Sequence, residues 1–138
     1  MLFRSTGVAS VYGIREYKRL AEAEDITPWL SDYVPFPENE LSAFFGKRLA
    51  PAIIAENEND CLASVTKEKL AKAWPGIRTL IGELPDPDEL DQLLVSLQAK
   101  HRLEEIGVSE EDIDTLLKYS PMVRNRLTLM RMKRMISF

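Results

Sequence analysis

Apolar residues recur along this chain at intervals of three and four, the repeat of one helix face, and no segment alternates apolar and polar residues between turn signals as a strand would. From Thr6 to Glu24 the pattern places Val8, Val11, Tyr12, Ile14, Tyr17 and Leu20 along one side of a helix. Gly7 and Gly13 interrupt it. Each glycine costs up to about 1 kcal/mol of helix propensity against alanine, and glycines carried at that cost often mark close packing. Three prolines between Thr27 and Pro37 predict a connector with a short turn. Pro37 suits the start of a short helix that ends before Gly46 and turns Leu41, Phe44 and Phe45 inward. A further short helix is expected around Ile53 and Ile54, and the polar run from Glu56 to Asp60 reads as a loop.

Capping signals organise the second half. Thr66 is an N-cap for a helix from Lys67 to Trp74, and Pro75 either kinks that helix or begins the next, with Ile77, Leu80 and Ile81 extending the apolar face. Asp86 reads as an N-cap with Pro87 at the first helical position and Glu89 two further on, a capping box that opens the stripe Leu90, Leu93, Leu94, Leu97. Ser109 with Asp112 repeats the signal, Val108 and Ile113 occupy the positions of a hydrophobic staple, and Leu116 and Leu117 follow. A last helix is predicted from about Arg126 to Met135, carrying Leu127, Leu129, Met130 and Met132. The expected fold is all-α, a multi-helix bundle, with residues 1–138 forming a single helical domain.

Composition narrows the function classes. With 138 residues, 45% hydrophobic and 29% charged, the chain can close one core but is too short for a dinucleotide-binding domain plus a substrate domain. A formal net charge of −4 makes neither nucleic acid nor a membrane surface the expected partner. No apolar run is long enough to span a bilayer, and Met1 to Ser10 lacks the apolar stretch of a signal peptide. The lone Cys61 forms no internal disulfide, which fits a reducing cytoplasm.

The residues offer little chemistry. His101 and Cys61 are the only imidazole and thiol, and they lie far apart in sequence, so no metal site is expected; His101 reads as a solvated or capping residue and Cys61 as a small buried side chain. No glycine-rich phosphate loop occurs. Between Glu83 and Asp114 the chain has eleven acids against two bases, Lys100 and Arg102, and most of the acids fall in first helical turns, where they complement the helix dipole. The C-terminal end is basic, with Arg124, Arg126, Arg131, Lys133 and Arg134 interleaved with Leu127, Leu129, Met130 and Met132. A structural role outweighs a phosphate-binding one for that strip. No catalytic, cofactor-binding or metal-binding residue is assigned.

The order of several short blocks carries a resemblance. These are Trp74, Pro75, Gly76, Ile77; then Ile81 to Pro85; the helix start Pro87, Asp88, Glu89, Leu90; Glu105 to Ser109; and Tyr119 to Leu129. From Asn59 to Arg131 the chain resembles the end of bacterial sn-glycerol-1-phosphate dehydrogenases, members of the iron-containing alcohol dehydrogenase and dehydroquinate synthase-like superfamily. Leu127 stands where the family has a tyrosine. Thr6 to Leu20 resembles, more loosely, the later part of a family helix, and counting back from Tyr17 places a metal-binding histidine of the family near Leu2, where there is none.

The resemblance implies the C-terminal α-domain of the dehydroquinate synthase-like fold. It also implies a parent activity dependent on NAD(P) and on a divalent metal such as Zn, Ni or Fe, with the cofactor domain and the remaining ligands upstream of Met1. The expectation is a detached or truncated C-terminal domain, inactive alone, that associates with itself or with a separate cofactor-domain chain. The alternative is a free-standing helical interaction or dimerisation module, whose bare face would come from Trp29, Phe36, Phe44, Phe45 or the methionines near the end.

Overall fold

The structure, a computed structural model, describes residues 2–138, with side chains described from Gly7 onward. The helices are α1 (Leu2–Leu20), α2 (Glu38–Glu56), α3 (Lys67–Gly82), α4 (Pro87–Ser96), α5 (Ile113–Tyr119) and α6 (Leu129–Met132), with short 3-10 turns between several of them. Among the described residues there is no strand, only one antiparallel bridge between Leu30 and Ile136. The fold is all-α, as the periodicity predicts. The chain divides into two compact units, each assembled from two separate stretches: residues 1–24 with 75–114, and residues 25–74 with 115–138. The division falls inside α3, between Trp74 and Pro75, and α3 includes Pro75 in its interior, so no new helix starts there.

In the first unit α1 packs along α4. Val8, Val11 and Leu20 of α1 are buried, three of the six apolar positions predicted for its face. The helix begins earlier than the pattern predicts, at Leu2, and the side chain at that position lies outside the described ones. The close approach falls at Gly7: a Cβ there would come within 2.8 Å of Leu94 Cδ2, whereas at Gly13 it would meet nothing within 4 Å. Only one of the two glycines therefore marks close packing. Lys18 closes the end of α3, donating to the carbonyls of Ile81 (2.9 Å) and Leu84 (3.1 Å), and Arg78 Nε donates to Ala21 O (2.9 Å) just past the end of α1. Each helix thus supplies the cation that satisfies the other's orphaned carbonyls. Asp86 caps α4 as predicted, accepting from the amides of Asp88 (2.8 Å) and Glu89 (3.2 Å). The leucine stripe of α4 is only partly covered: Leu90 and Leu94 are half-buried, while Leu93 and Leu97 are 52% and 67% exposed. Leu80, expected on the covered face of α3, is also exposed.

In the second unit α2 is two helical arms. Gly46 adopts φ 77°, ψ 168°, a left-handed backbone that side chains other than hydrogen rarely tolerate, and the helical path breaks there. The two short helices expected on either side of Gly46 are those arms. Leu41 is buried on the first, Ala50 on the second. Phe44, expected inside, is 40% exposed but lies flat on Tyr119, with ring centroids 4.1 Å apart and planes 4° apart. Thr66 caps α3 through the Lys69 amide at 3.1 Å. The last helix is shorter than the sequence suggests. Residues 124–128 are not helical, Thr128 accepts from the Arg131 amide at 3.2 Å as an N-cap, and only Leu129–Met132 and a following turn are helical. Met122 and Met135 are buried and Met130 and Met132 half-buried, so the methionines fill the interior and do not form a bare face.

Candidate functional site

The break at Gly46 makes an elbow, and residues of both arms line a cavity of about 460 Å³ in the second unit. Glu38 and Leu41 come from the first arm, Pro51, Ile54 and Ala55 from the second. Tyr33, Pro35 and Phe36 come from the segment before α2, Asn57, Glu58 and Asp60 from the turn after it, and Met122 completes the lining. The ionisable carboxylates among these are Glu38, Glu58 and Asp60, and none of the lining residues is a lysine, arginine or histidine.

Asp60 also belongs to a densely bonded polar group. Arg131 is wholly buried, and its Nη1 donates to Asp60 Oδ1 at 2.8 Å. Its Nη2 donates to Asn57 Oδ1 (2.8 Å) and to the carbonyls of Pro121 (2.7 Å) and Arg124 (2.8 Å). Arg134 Nη1 takes the other Asp60 oxygen at 2.6 Å, and its Nη2 donates to Val34 O at 2.8 Å. Tyr33 donates its hydroxyl to Asp60 Oδ2 at 3.3 Å, and the Leu62 amide donates to Oδ1 at 3.0 Å. Asn125 ties the same turn down, accepting from the Cys61 amide (2.9 Å) and donating to Asn59 O (2.7 Å). The Arg134 guanidinium also lies over the rings of Tyr33 and Phe36, at 5.5 and 5.2 Å from their centroids.

Burial pushes the Asp60 carboxyl up, but hydrogen bonds from Arg134 and the Leu62 amide and the charge of both guanidiniums outweigh it, so the group sits below the ordinary carboxylate range. Burial, then the neighbouring Asp60 charge, raises the Tyr33 hydroxyl. A carboxylate offers about four acceptor positions, and here four donors occupy them. Asp60 is therefore ionised and saturated. It holds the chain together and has no acceptor position left for a proton in transit.

In the first unit His101 is not simply solvated. Its ring is 22% exposed, with Nδ1 3.2 Å from Asp91 Oδ1 and Nε2 3.8 Å from Glu105 Oε1. An open cleft beside it is lined by both signs of charge, with Arg15 and Arg102 against Asp91, Glu104 and Glu110. Several of the acids do cap as the sequence suggests: Asp86 on α4, and Asp112, which accepts from the Ser109 amide and hydroxyl. Cys61 is half-buried. The basic C-terminal strip does not face outward as a unit, because Arg131 and Arg134 turn inward onto Asp60.

No family model, no curated protein and no solved structure matches this chain. Its side chains decide what can be said of the metal that the sequence resemblance implies. Among the described residues no three His, Cys, Asp or Glu side chains converge, and the one imidazole faces carboxylates from opposite nitrogens. The donor set of the described residues does not fit a divalent metal centre. The sequence holds no local signal for the Asp60 group, in which directly bonded members lie as far as 100 residues apart. The Thr128 cap, three residues before Arg131, was the one local clue to where the last helix starts.

Proposed function

We propose that this chain supplies the helical part of a glycerol-1-phosphate dehydrogenase-like, metal- and NAD(P)-dependent oxidoreductase and is inactive alone. In this reading the hydride chemistry belongs to a separate cofactor-binding part. The observation that supports it is where the resembling residues fall. The stretch that begins at Asn59 and the block Tyr119 to Leu129 interlock through Asn125 and through the Arg131 guanidinium, which gathers the Pro121 and Arg124 carbonyls. These two stretches belong to the second unit, and the resembling blocks Ile81 to Pro85, Pro87 to Leu90 and Glu105 to Ser109 belong to the first. The test is a pull-down from the native cell followed by assay of the reconstituted mixture. A companion chain carrying a cofactor domain, and NAD(P)H-linked reduction of dihydroxyacetone phosphate by the mixture, support the reading. Recovery of no such chain and no reduction overturn it.

The second reading, a free-standing helical interaction or dimerisation module, is favoured by one feature. On α4, Leu93 and Leu97 continue the half-buried Leu90 and Leu94 stripe into solvent. Light scattering at rising concentration separates the two: self-association that Leu93→Ser with Leu97→Ser abolishes supports the module, and a monomer throughout removes it.

A further inference from the structure

One side of α4 and the segment leading into α6 both expose apolar residues, and they carry opposite charge. On α4, Glu89, Leu93 and Leu97 stand at intervals of four and share one stripe, and all three are exposed. Asp88 pairs with Arg15 and Asp91 faces His101, whereas Glu89 meets no cationic side chain among the described residues. The stretch around it is one-sided, with eleven acids against two bases from Glu83 to Asp114. Residues 115–138 are the reverse, with six bases and no acid. Arg131 and Arg134 turn inward onto Asp60, Lys118 pairs with Glu40, and Lys133 is half-buried. Arg124 and Arg126 remain exposed between the exposed Val123 and Leu127, and neither guanidinium has a carboxylate within ion-pair distance among the described residues. Asn125 fixes the backbone between them: its amide donates to Glu56 (3.1 Å), and its side chain bonds Asn59 and Cys61.

We propose that the Glu89–Leu93–Leu97 stripe of one copy docks on the Val123–Leu127 strip of a second copy. The inference rests on the interaction-module reading and names the surface that such a module meets. Leu93 and Leu97 lose water against Val123 and Leu127, and Glu89 meets the two arginines at the rim, where charge sets register and encounter rate. Like surfaces repel. Two α4 stripes face to face would bring acids together with no base in either helix, and two 123–127 strips would oppose arginines. The contact is therefore heterologous, each copy using a different surface at each end of it. Its apolar part is only four side chains, so the association is weak and reversible. The oxidoreductase reading is tested separately, by the companion chain.

The experiment is sedimentation velocity of the full chain at rising concentration, in low and high salt, repeated on two double variants. Glu89→Lys with Leu93→Ser breaks the α4 surface, and Arg124→Glu with Arg126→Glu breaks the other. All four side chains are exposed, and Arg131 uses the carbonyl of Arg124, not its side chain. The parent chain self-associates below about 1 mM, and less readily at high salt. Each double variant alone associates at least about tenfold more weakly. An equimolar mixture of the two gives a 1:1 dimer and nothing larger, because each supplies the surface that the other has lost, and that dimer also shows both variants to be folded. Association abolished by the α4 changes but indifferent to the arginine changes means that α4 meets α4: the module reading then survives and this proposal is overturned. A parent chain that stays monomeric to about 1 mM, or one whose association ignores salt, overturns it as well.

Discussion

Removing Arg131 should damage the second unit more than removing any other polar side chain. Its guanidinium is wholly buried and joins Asp60, Asn57 and two backbone carbonyls. Taking one partner out of a buried ion pair costs about 3–5 kcal/mol, because the remaining groups are left without solvent or counter-charge. Arg131→Ala is expected to lower unfolding stability by that order in urea titration. Arg131→Lys is expected to recover little, since an ammonium cannot reach four acceptors spread around a planar fork. A loss under about 1 kcal/mol for Arg131→Ala would show that the network is ornamental. Asp60 adds a pH signature. Its carboxyl is held below the ordinary range in the fold, so the folded chain binds that proton less readily than the unfolded chain, whose carboxyl titrates near about 3.9. The contribution is complete above that value and disappears as pH falls through the lower folded value. The stability difference between the parent chain and Asp60→Asn should therefore be constant near neutrality and shrink below about pH 4. A difference that persists unchanged into strong acid contradicts the assignment.

At the scale of the elements, the local chemistry was readable and the long-range chemistry was not. Caps at Thr66, Asp86 and Ser109 depend on residues two or three positions away, and each stands where the sequence placed it. The apolar stripe of α4 was equally readable, but periodicity says which residues share a side and not how wide the neighbouring surface is. α1 packs along α4 with Leu94 against Gly7, and Leu93 and Leu97 are left exposed. The final helix was drawn too long because Leu127 fits the apolar repeat, whereas Thr128 takes the cap and starts the helix after it. Two glycines that looked alike prove different, and this gives a paired test. Gly13→Ala meets nothing and should raise stability by up to about 1 kcal/mol through helix propensity alone. Gly7→Ala must displace the Leu94 side chain, so overpacking offsets the same gain and the net change is nil or unfavourable. Thermal melts of the two variants side by side decide it; an equal gain at both positions would mean that α1 and α4 are not closely packed at Gly7.

For the whole molecule, class was legible and chemistry was not. Helical periodicity without alternation led directly to an all-α chain, and no helix among the described residues is long and apolar enough to cross a membrane. The candidate site was hidden because its parts are individually ordinary. A glutamate at the start of a helix, another in a polar turn and a glycine between two short helices give no motif, and only the elbow at Gly46 brings them to one cavity. The claim that the chain is inactive alone draws on the scarcity of electrophilic and proton-moving groups among the described residues: a saturated Asp60, one histidine between two carboxylates, and no converging set of metal donors. The most direct measurement is to incubate the purified chain by itself with NADH or NADPH, dihydroxyacetone phosphate and each of Zn²⁺, Ni²⁺ and Fe²⁺, and to follow the nicotinamide absorbance. The account predicts no consumption above the protein-free rate with any metal. Sustained turnover by this polypeptide unaided would contradict it.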